Sequence, residues 1–339
     1  MANLSYSLTA IQADHPDVPG PLPAHVPVAV LSRGPLVESV HHGSVVVTRA
    51  DGRAALVVGD GTTPVYPRSA LKPLQAVAAL RLGVEIDEQL LAVAAASHSG
   101  GPEHVDAARR ILAAHGLDEG DLRNTPDLPY GAQEREALLA AGGGRGRMVQ
   151  NCSGNHALIL AACVVSGWPT ATYLDADHPV QRVIRHTLDE LAAEPVGPVA
   201  IDGCGMPVLG MRLPALARAY GRLAAAEPTT AEGRVASAMR AHPHLVGGAG
   251  RDVTDAMVAV PGLVAKDGAE GVQLLGLTDG TGVAVKIADG ADRARMPVAV
   301  AALAAAGGHD VVVAALASLS LDPVNLGTEV VARLTAVPL

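Results

Sequence analysis

A serine and a lysine three residues apart are the first place in this sequence where chemistry could occur. Ser69 and Lys72 lie in the segment YPRSALKP, residues 66–73. Pro73 is tolerated near the first turn of a helix, so a helix is predicted to begin at about Ser69, with both side chains on one face. A neutral lysine amine could then take the serine proton. A helix-capping serine followed by a solvated lysine would fit the same spacing.

Lysine is rare in this chain, which makes each lysine a candidate for a special role. Of the 25 basic residues, 22 are arginine and three are lysine, at positions 72, 266 and 286. Arginine keeps its proton in proteins, whereas a desolvated lysine can lose it and act as a base. Lys266 ends a predicted strand in AKDGAEG, residues 265–271. Its side chain could point into a cleft or into water.

Two further segments place small polar residues in glycine-rich turns. Ser97 and Ser99 follow an apolar run in ASHSGGP, residues 96–102, where they could line a cleft or simply cap a turn. Cys152 lies in NCSGNH and Cys204 in DGCGMP. Two thiolates could hold zinc or form a thiol site, although no Cys-x-x-Cys pair occurs, and both could equally be small buried residues.

The periodicity predicts a sheet built from both ends of the chain, with helices between. Alternating strands bounded by Asp-Gly turns fill residues 28–64 and 262–290, and a last helix and strand are expected at 291–306 and 328–337. Helical periodicity marks residues 70–82, 87–96, 102–115, 132–141, 155–167, 179–193, 213–226 and 231–241. This order is typical of an α+β fold.

These elements predict a single unit, residues 1–339, made of two subdomains. The sheet subdomain comprises 25–69 plus 255–339, and the helical subdomain comprises 70–254. Aromatic residues are only 2% of the chain, with no phenylalanine, so the core must be built from small aliphatic side chains.

The charge and the apolar patterning exclude several classes of partner. A net charge of −9 without a basic run argues against binding to nucleic acid or anionic lipid. No apolar stretch approaches the ~20 residues that a membrane-spanning helix needs. The first 25 residues lack the features of a secretory signal and are interpreted as a leader of a cytoplasmic protein. Three widely spaced cysteines fit a reducing compartment.

Together the motifs resemble the bacterial serine-lysine L-asparaginases, the rhizobial-type asparaginase II family. The matching segments occur in one order along most of the chain: YPRSALKPLQA, ASHSG, NCSGNHA, DGCGMPV, HPHLVGGAGRDVTDAM and AKDGAEGV. The resemblance implies an antiparallel sheet with helices and a helical subdomain, like that of serine β-lactamases and penicillin-binding proteins. It also implies hydrolysis of L-asparagine to L-aspartate and ammonia.

The resemblance implies roles for the reacting groups. Ser69 matches the nucleophile and Lys72 its base. Ser97 matches a second catalytic serine and Lys266 its partner lysine, with Ser99 as the alternative second serine.

The resemblance also implies a pocket and a possible metal site. Tyr66 and Arg68 would shape the pocket, and Asp202 would hold the substrate's α-amino group. Cys152 and Cys204 match two zinc ligands.

Two positions depart from the family pattern. Asn155 stands where a lysine usually provides the third zinc ligand, and an amide is a poor ligand for zinc. No cofactor is therefore expected to be required, although zinc is possible. Gly101 replaces a frequent acidic residue, so the polarity of the pocket differs. A homodimer is expected from the family.

Three alternatives remain open at the level of sequence. The same Ser-Lys chemistry could act on another amide, such as glutamine or a β-lactam. A hydrolase could instead be built on Cys152 and Cys204. A non-catalytic homologue is the third, although the presence of Ser69, Lys72 and both partner residues argues against it.

Overall fold

The computed structural model describes residues 22–319, 321–326 and 329–339, with the backbone alone for 321–326 and 329. Most of the predicted leader, residues 1–21, lies outside the described residues. Within the described ranges, no helix has the length and apolar character needed to cross a membrane.

One large antiparallel sheet joins the two ends of the chain. Its strand order is β6-β7-β8-β2-β1-β10-β9, with β3 paired to β2, and β4 and β5 form a separate small sheet. In chain order the strands are β1 (Val26–Arg33), β2 (Leu36–Thr48), β3 (Ala54–Val58), β4 (Val199–Ile201), β5 (Pro207–Leu209), β6 (Val264–Gly268), β7 (Val272–Gly276), β8 (Gly282–Ile287), β9 (Leu321–Leu326) and β10 (Glu329–Ala336). Strand β6 is therefore an edge strand.

The helices begin where proline and capping residues favour a first turn. Pro73, Pro102 and Pro179 lie in first turns, and the Asp87 carboxylate caps its helix by accepting a hydrogen bond from the Leu90 amide. The helices are α1 (Lys72–Arg81), α2 (Glu88–Ala94), α3 (Pro102–Ala114), α4 (Ala132–Ala140), α5 (Ser153–Val165), α6 (Pro179–Ala192), α7 (Leu213–Ala225), α8 (Ala231–Ala241), α9 (Pro243–Val246), α10 (Asp252–Ala259), α11 (Arg295–Ala306) and α12 (Asp310–Ala315).

The core lies against the half of the sheet that carries β6, β7 and β8. Strands β6 and β7 are buried along their whole length. Helices α7 and α11 pack on β7 and β8, whereas α10 and the turn Arg68–Leu71 pack on β6. Small residues allow this close packing. A methyl group added at Gly282 would overlap the Ala217 carbonyl oxygen of α7.

The α+β fold predicted from the sequence is confirmed, with the sheet built from both ends of the chain. The sequence did not indicate the short strands β4 and β5 or the helices α9 and α10. The division into two subdomains stays a prediction. Helix α7 comes from the predicted helical part, yet it packs on the sheet.

Candidate active site

Ser69 lies in a single 3-10 turn, Arg68–Leu71, that leads directly into α1. Arg68 has the left-handed backbone angle φ 56°, which is costly for a residue with a side chain and is typical of functional sites. The edge strand β6 packs against this turn. Gly268 allows the close approach, because a methyl group there would overlap the Pro67 carbonyl oxygen.

Two lysines converge on one serine hydroxyl beneath this turn. Lys72 Nζ lies 3.2 Å from Ser97 Oγ and 3.1 Å from the Asn151 carbonyl oxygen. Lys266 Nζ lies 2.9 Å from the same Ser97 Oγ. All three side chains are buried, with residue exposures of 3% for Lys72, 3% for Ser97 and 0% for Lys266. Residues from α1, from the loop after α2 and from β6 thus meet at one point.

The hydrogen bond expected between Ser69 and Lys72 is not formed in the structure. Lys72 contacts Ser97 instead, and the Ser69 hydroxyl has no hydrogen bond to any described residue. The helical spacing still keeps both residues on one face of the turn.

Ser99 is held apart from the lysines by its own hydrogen bond. Its hydroxyl donates to the Gly247 carbonyl oxygen at 2.8 Å. Of the two serines that the sequence offered as partner of Lys266, Ser97 is the one in contact with it.

A cavity of about 250 Å³ opens beside Ser69. Its lining includes Ser69, Arg68, Tyr130, Asn151, Cys152, Asp202 and Cys204. Tyr66, expected to shape the same pocket, lines a separate cavity of about 660 Å³ on the other side of Arg68, which borders both.

Asp202 is paired with Arg68 in this structure. Arg68 Nε and the Gly203 amide both donate to Asp202 Oδ1, at 2.5 Å and 2.6 Å. Asp202 Oδ2 has no hydrogen bond to a described residue, so one carboxylate oxygen is left for a ligand in the cavity.

The electrostatics of Lys266 reflect burial and a neighbouring carboxylate. Burial lowers the pKa of Lys266 to about 8, Asp267 opposes this shift, and the positive charge of Lys72 adds to it. Asp267 is also buried, which alone would raise its pKa, but the cations Lys266, Arg251 and Arg295 outweigh this effect and hold its pKa well below the usual range.

Cys152 and Cys204 both line the cavity. Cys204 lowers the pKa of Cys152 to about 5 against the opposing effect of burial, and the positive charge of Lys72 lowers that pKa further. Cys152 and burial together raise the pKa of Cys204. The Cys152 sulfur also lies 3.2 Å from Asn151 Oδ1, to which its thiol can donate.

These residues do not fit the zinc site that the family resemblance implies. The Asn155 amide nitrogen donates to the Ala94 carbonyl oxygen at 3.2 Å, so it is already used. The neighbouring His156 contacts the Tyr173 hydroxyl through Nδ1 at 2.6 Å, and its buried Nε2 atom has no hydrogen-bond partner among the described residues. His156 nevertheless does not form a metal-binding group with the two cysteines. Across the described ranges, no group of three histidine, cysteine or acidic side chains could hold a metal ion.

The sequence did not single out four residues of this site. Asn151 accepts from Lys72, Tyr130 lines the cavity, and Arg251 Cζ lies 4.5 Å from the centre of the Tyr130 ring. Asp267 contacts both Lys266 and Arg251. Asp267 directly follows Lys266 in the sequence, and that adjacency was the signal that could have revealed it.

Solved structures show distant similarities. A β-lactamase from Mycobacterium bovis is 15% identical, with a TM-score of 0.44, over 82% of this chain and 95% of that one. Mglu in its native form is 17% identical, with a TM-score of 0.40, over 81% of this chain and 64% of Mglu, so the match spans less than two thirds of Mglu. EstCE1, a hydrolase with promiscuous acyltransferase activity, is 13% identical, with a TM-score of 0.39, over 73% and 88%.

No curated protein matches the chain. A family model, in contrast, covers almost all of the described sequence. The model described as L-asparaginase II matches residues 29–336, which include Ser69, Ser97, Asp202 and both buried lysines. The chain belongs to the L-asparaginase II family.

Proposed function

We propose that this protein is an L-asparaginase that hydrolyses L-asparagine to L-aspartate and ammonia through an acyl-enzyme on Ser69. One observation supports this most strongly: two buried lysines share the Ser97 hydroxyl next to a cavity that Ser69 lines. Buried amines beside a serine are the groups that activate a hydroxyl for attack on an amide.

In the first half of the reaction, the Ser69 oxygen attacks the side-chain amide carbon of asparagine. Lys72, one helical turn further on, takes the Ser69 proton. Its contact with Ser69 would form when substrate binds, since catalytic hydrogen bonds are often long in substrate-free structures. Backbone N–H groups at the start of the turn would stabilise the oxyanion, at roughly 3 to 4 kcal/mol for each donor.

In the second half, the departing ammonia takes a proton. Lys266 donates to Ser97 Oγ, and the Ser97 hydroxyl gives its hydrogen to the leaving nitrogen. Water then hydrolyses the β-aspartyl ester by the reverse proton route. The free oxygen of Asp202 would bind the α-amino group of the substrate. No step of this proposal uses zinc, in keeping with the Asn155 amide that already donates to the Ala94 carbonyl oxygen.

The test is ammonia release by the purified protein and by Ser69→Ala. The wild type should release ammonia from L-asparagine, and Ser69→Ala should lose at least about 1,000-fold in kcat. The loss should come without a lower melting temperature, because the Ser69 hydroxyl makes no hydrogen bond to a described residue. Retained activity in Ser69→Ala would contradict the assignment.

Further controls separate the three alternatives. L-glutamine and a chromogenic β-lactam test the substrate, and the proposal predicts that L-asparagine gives the highest kcat/KM. A chelator should leave the rate unchanged, whereas a thiol or zinc hydrolase built on Cys152 would be inhibited by it or by alkylation. No turnover of any amide by a folded protein would favour a non-catalytic homologue.

A further inference from the structure

The carboxylate of Asp267 lies at the centre of a buried charge cluster behind Ser97. Its Oδ1 atom is 2.7 Å from Lys266 Nζ, and its Oδ2 atom is 2.7 Å from Arg251 Nη2. Arg295 Nη1 lies 3.6 Å from Oδ2. The Asp267 side chain is only 8% exposed. Two guanidinium groups therefore keep this carboxylate ionised and fix its orientation.

Lys266 has three acceptors around its nitrogen. These are Asp267 Oδ1 at 2.7 Å, the Asp267 carbonyl oxygen at 2.7 Å and Ser97 Oγ at 2.9 Å. An ammonium has three N–H donors and no acceptor, so it matches this set. The Oδ1 atom and the carbonyl oxygen of Asp267 can only accept hydrogen bonds, and they occupy two of the three N–H donors of Lys266. The third N–H is thereby directed at Ser97.

We propose that Asp267 is a positioning residue that keeps Lys266 in its ammonium form and directs one N–H of that ammonium at Ser97 Oγ. The inference rests on the proposed function for its catalytic meaning: Lys266 is the proton donor and Lys72 is left as the base. Without Asp267, no carboxylate of the described residues would form an ion pair with a positive charge buried at Lys266.

The other charged groups around Lys266 do not provide this compensation. Lys72 from α1 and Arg251 from the segment before α10 both disfavour the charge of Lys266. His98 is fully buried, and its pKa is lowered chiefly by that burial, so it stays neutral. Asp252 on α10, another carboxylate of the same cluster, is bound by Arg295 at 3.2 Å and forms no ion pair with Lys266.

The scarcity of lysine allows a direct measurement. The chain contains three lysines, so protein made with isotope-labelled lysine gives three side-chain amine signals in an NMR titration. Replacing Lys286 by arginine identifies one signal and Lys266→Arg another. In the wild type the Lys266 signal should be that of an ammonium near neutral pH. It should titrate with a pKa of about 8, because burial lowers the pKa of this lysine.

Asp267→Asn should lower the Lys266 titration midpoint by about one pH unit or more, because the buried charge loses the carboxylate that contacts it. Asp267→Glu keeps a carboxylate, so its Lys266 midpoint should stay close to that of the wild type. Asp252→Asn removes a different carboxylate from the same cluster and should shift the Lys266 midpoint much less than Asp267→Asn does. The Lys286 signal provides the internal reference. In the ammonia assay Asp267→Asn should lower kcat by about 100-fold.

Two results would overturn the inference. One is a wild-type Lys266 that is already neutral near pH 7, which can be read even if Asp267→Asn fails to fold. The other is a folded Asp267→Asn protein whose Lys266 midpoint is unchanged. The titration needs no substrate and does not depend on the proposed function. If Ser69→Ala stayed active, the proposed function would be refuted, but the titration would still show whether Asp267 keeps Lys266 charged.

Discussion

The hydroxyl of Ser97 contacts the amines of Lys72 and Lys266, and these two amines have different surroundings. Lys266 has a carboxylate partner at 2.7 Å, whereas Lys72 has a backbone carbonyl at 3.1 Å. Two neighbouring cations each disfavour the charge of the other. Lys266 is therefore the one of the two whose positive charge has a contacting carboxylate.

The activity should fall as the pH rises through about 8. Burial sets the pKa of Lys266 to about 8, below its ordinary value of 10.5, so the amine form dominates above that pH and the proton donor is lost. The measurement is kcat for ammonia release between about pH 6 and about pH 10. Lys286→Arg, a change at the lysine outside this site, should show the same descending limb. A rate that continues to rise to about pH 10 would contradict the assignment of Lys266.

The sequence allows most of the residues of the candidate site to be predicted, but not which of their side chains contact one another. Short motifs and the family resemblance predict Ser69, Lys72, Ser97 and Lys266, and the structure brings the last three into contact. That Lys72 contacts Ser97 rather than Ser69 depends on a tertiary contact between residues 25 positions apart. Helical spacing specifies a shared face, not the rotamer that a buried amine adopts.

At the scale of elements, the site depends on how closely β6 approaches the turn that carries Ser69. Gly268 ends β6, and a side chain there would meet the Pro67 carbonyl oxygen and the Ala70 amide nitrogen, the latter at 3.3 Å. Both neighbours are backbone atoms, so they cannot rotate away. The position of the edge strand and that of the nucleophile are thus coupled.

Gly268→Ala should displace β6 from the Ser69 turn. We expect a loss of about 1 to 3 kcal/mol in the free energy of unfolding, as for other overpacked sites, and a fall in kcat that exceeds the change in KM. Denaturant unfolding and the ammonia assay measure the two effects. Gly144→Ala is the matched control, since a methyl group there has no neighbour within 4 Å. Equal behaviour of the two variants would show that the contact is not needed.

The sequence predicted the long elements well because their ends carry local signals. Proline in the first turn and side-chain caps act within a few residues, and the helices predicted at 179–193 and 213–226 are Pro179–Ala192 and Leu213–Ala225. Strands β4 and β5 have three residues each, too few for a period of two to show. Their pairing is set by contacts elsewhere in the fold.

At the scale of the whole molecule, the sheet and the helices share one core. Helix α7 packs on β2, β7 and β8, and Tyr220 from this helix donates a hydrogen bond to the Ala70 carbonyl oxygen at 2.7 Å. The Ser69 turn is therefore tied to the same helix that covers the sheet. Unfolding of either predicted subdomain alone would expose this shared surface.

The expected homodimer has a candidate contact surface near β4. Ile201 is 80% exposed and Val199 is 40% exposed, and their spacing of two places both on one face of the strand. We expect the wild type to sediment as a dimer and Ile201→Asp to shift it to the monomer, because a carboxylate is costly in an apolar interface. Val258→Asp, at an equally apolar site that is 68% exposed on α10, is the control. If Ile201→Asp leaves the dimer intact, the interface does not include this face of β4.

The burial of two of its three lysines also determines how this protein can be handled. Reagents that couple to lysine amines for tagging, polymer attachment or immobilisation would find Lys72 and Lys266 shielded, at 3% and 0% exposure, and Lys286 half-buried. Such reagents would label the folded protein sparsely and spare the reacting groups. Conjugation through its 34 acidic side chains offers far more points of attachment.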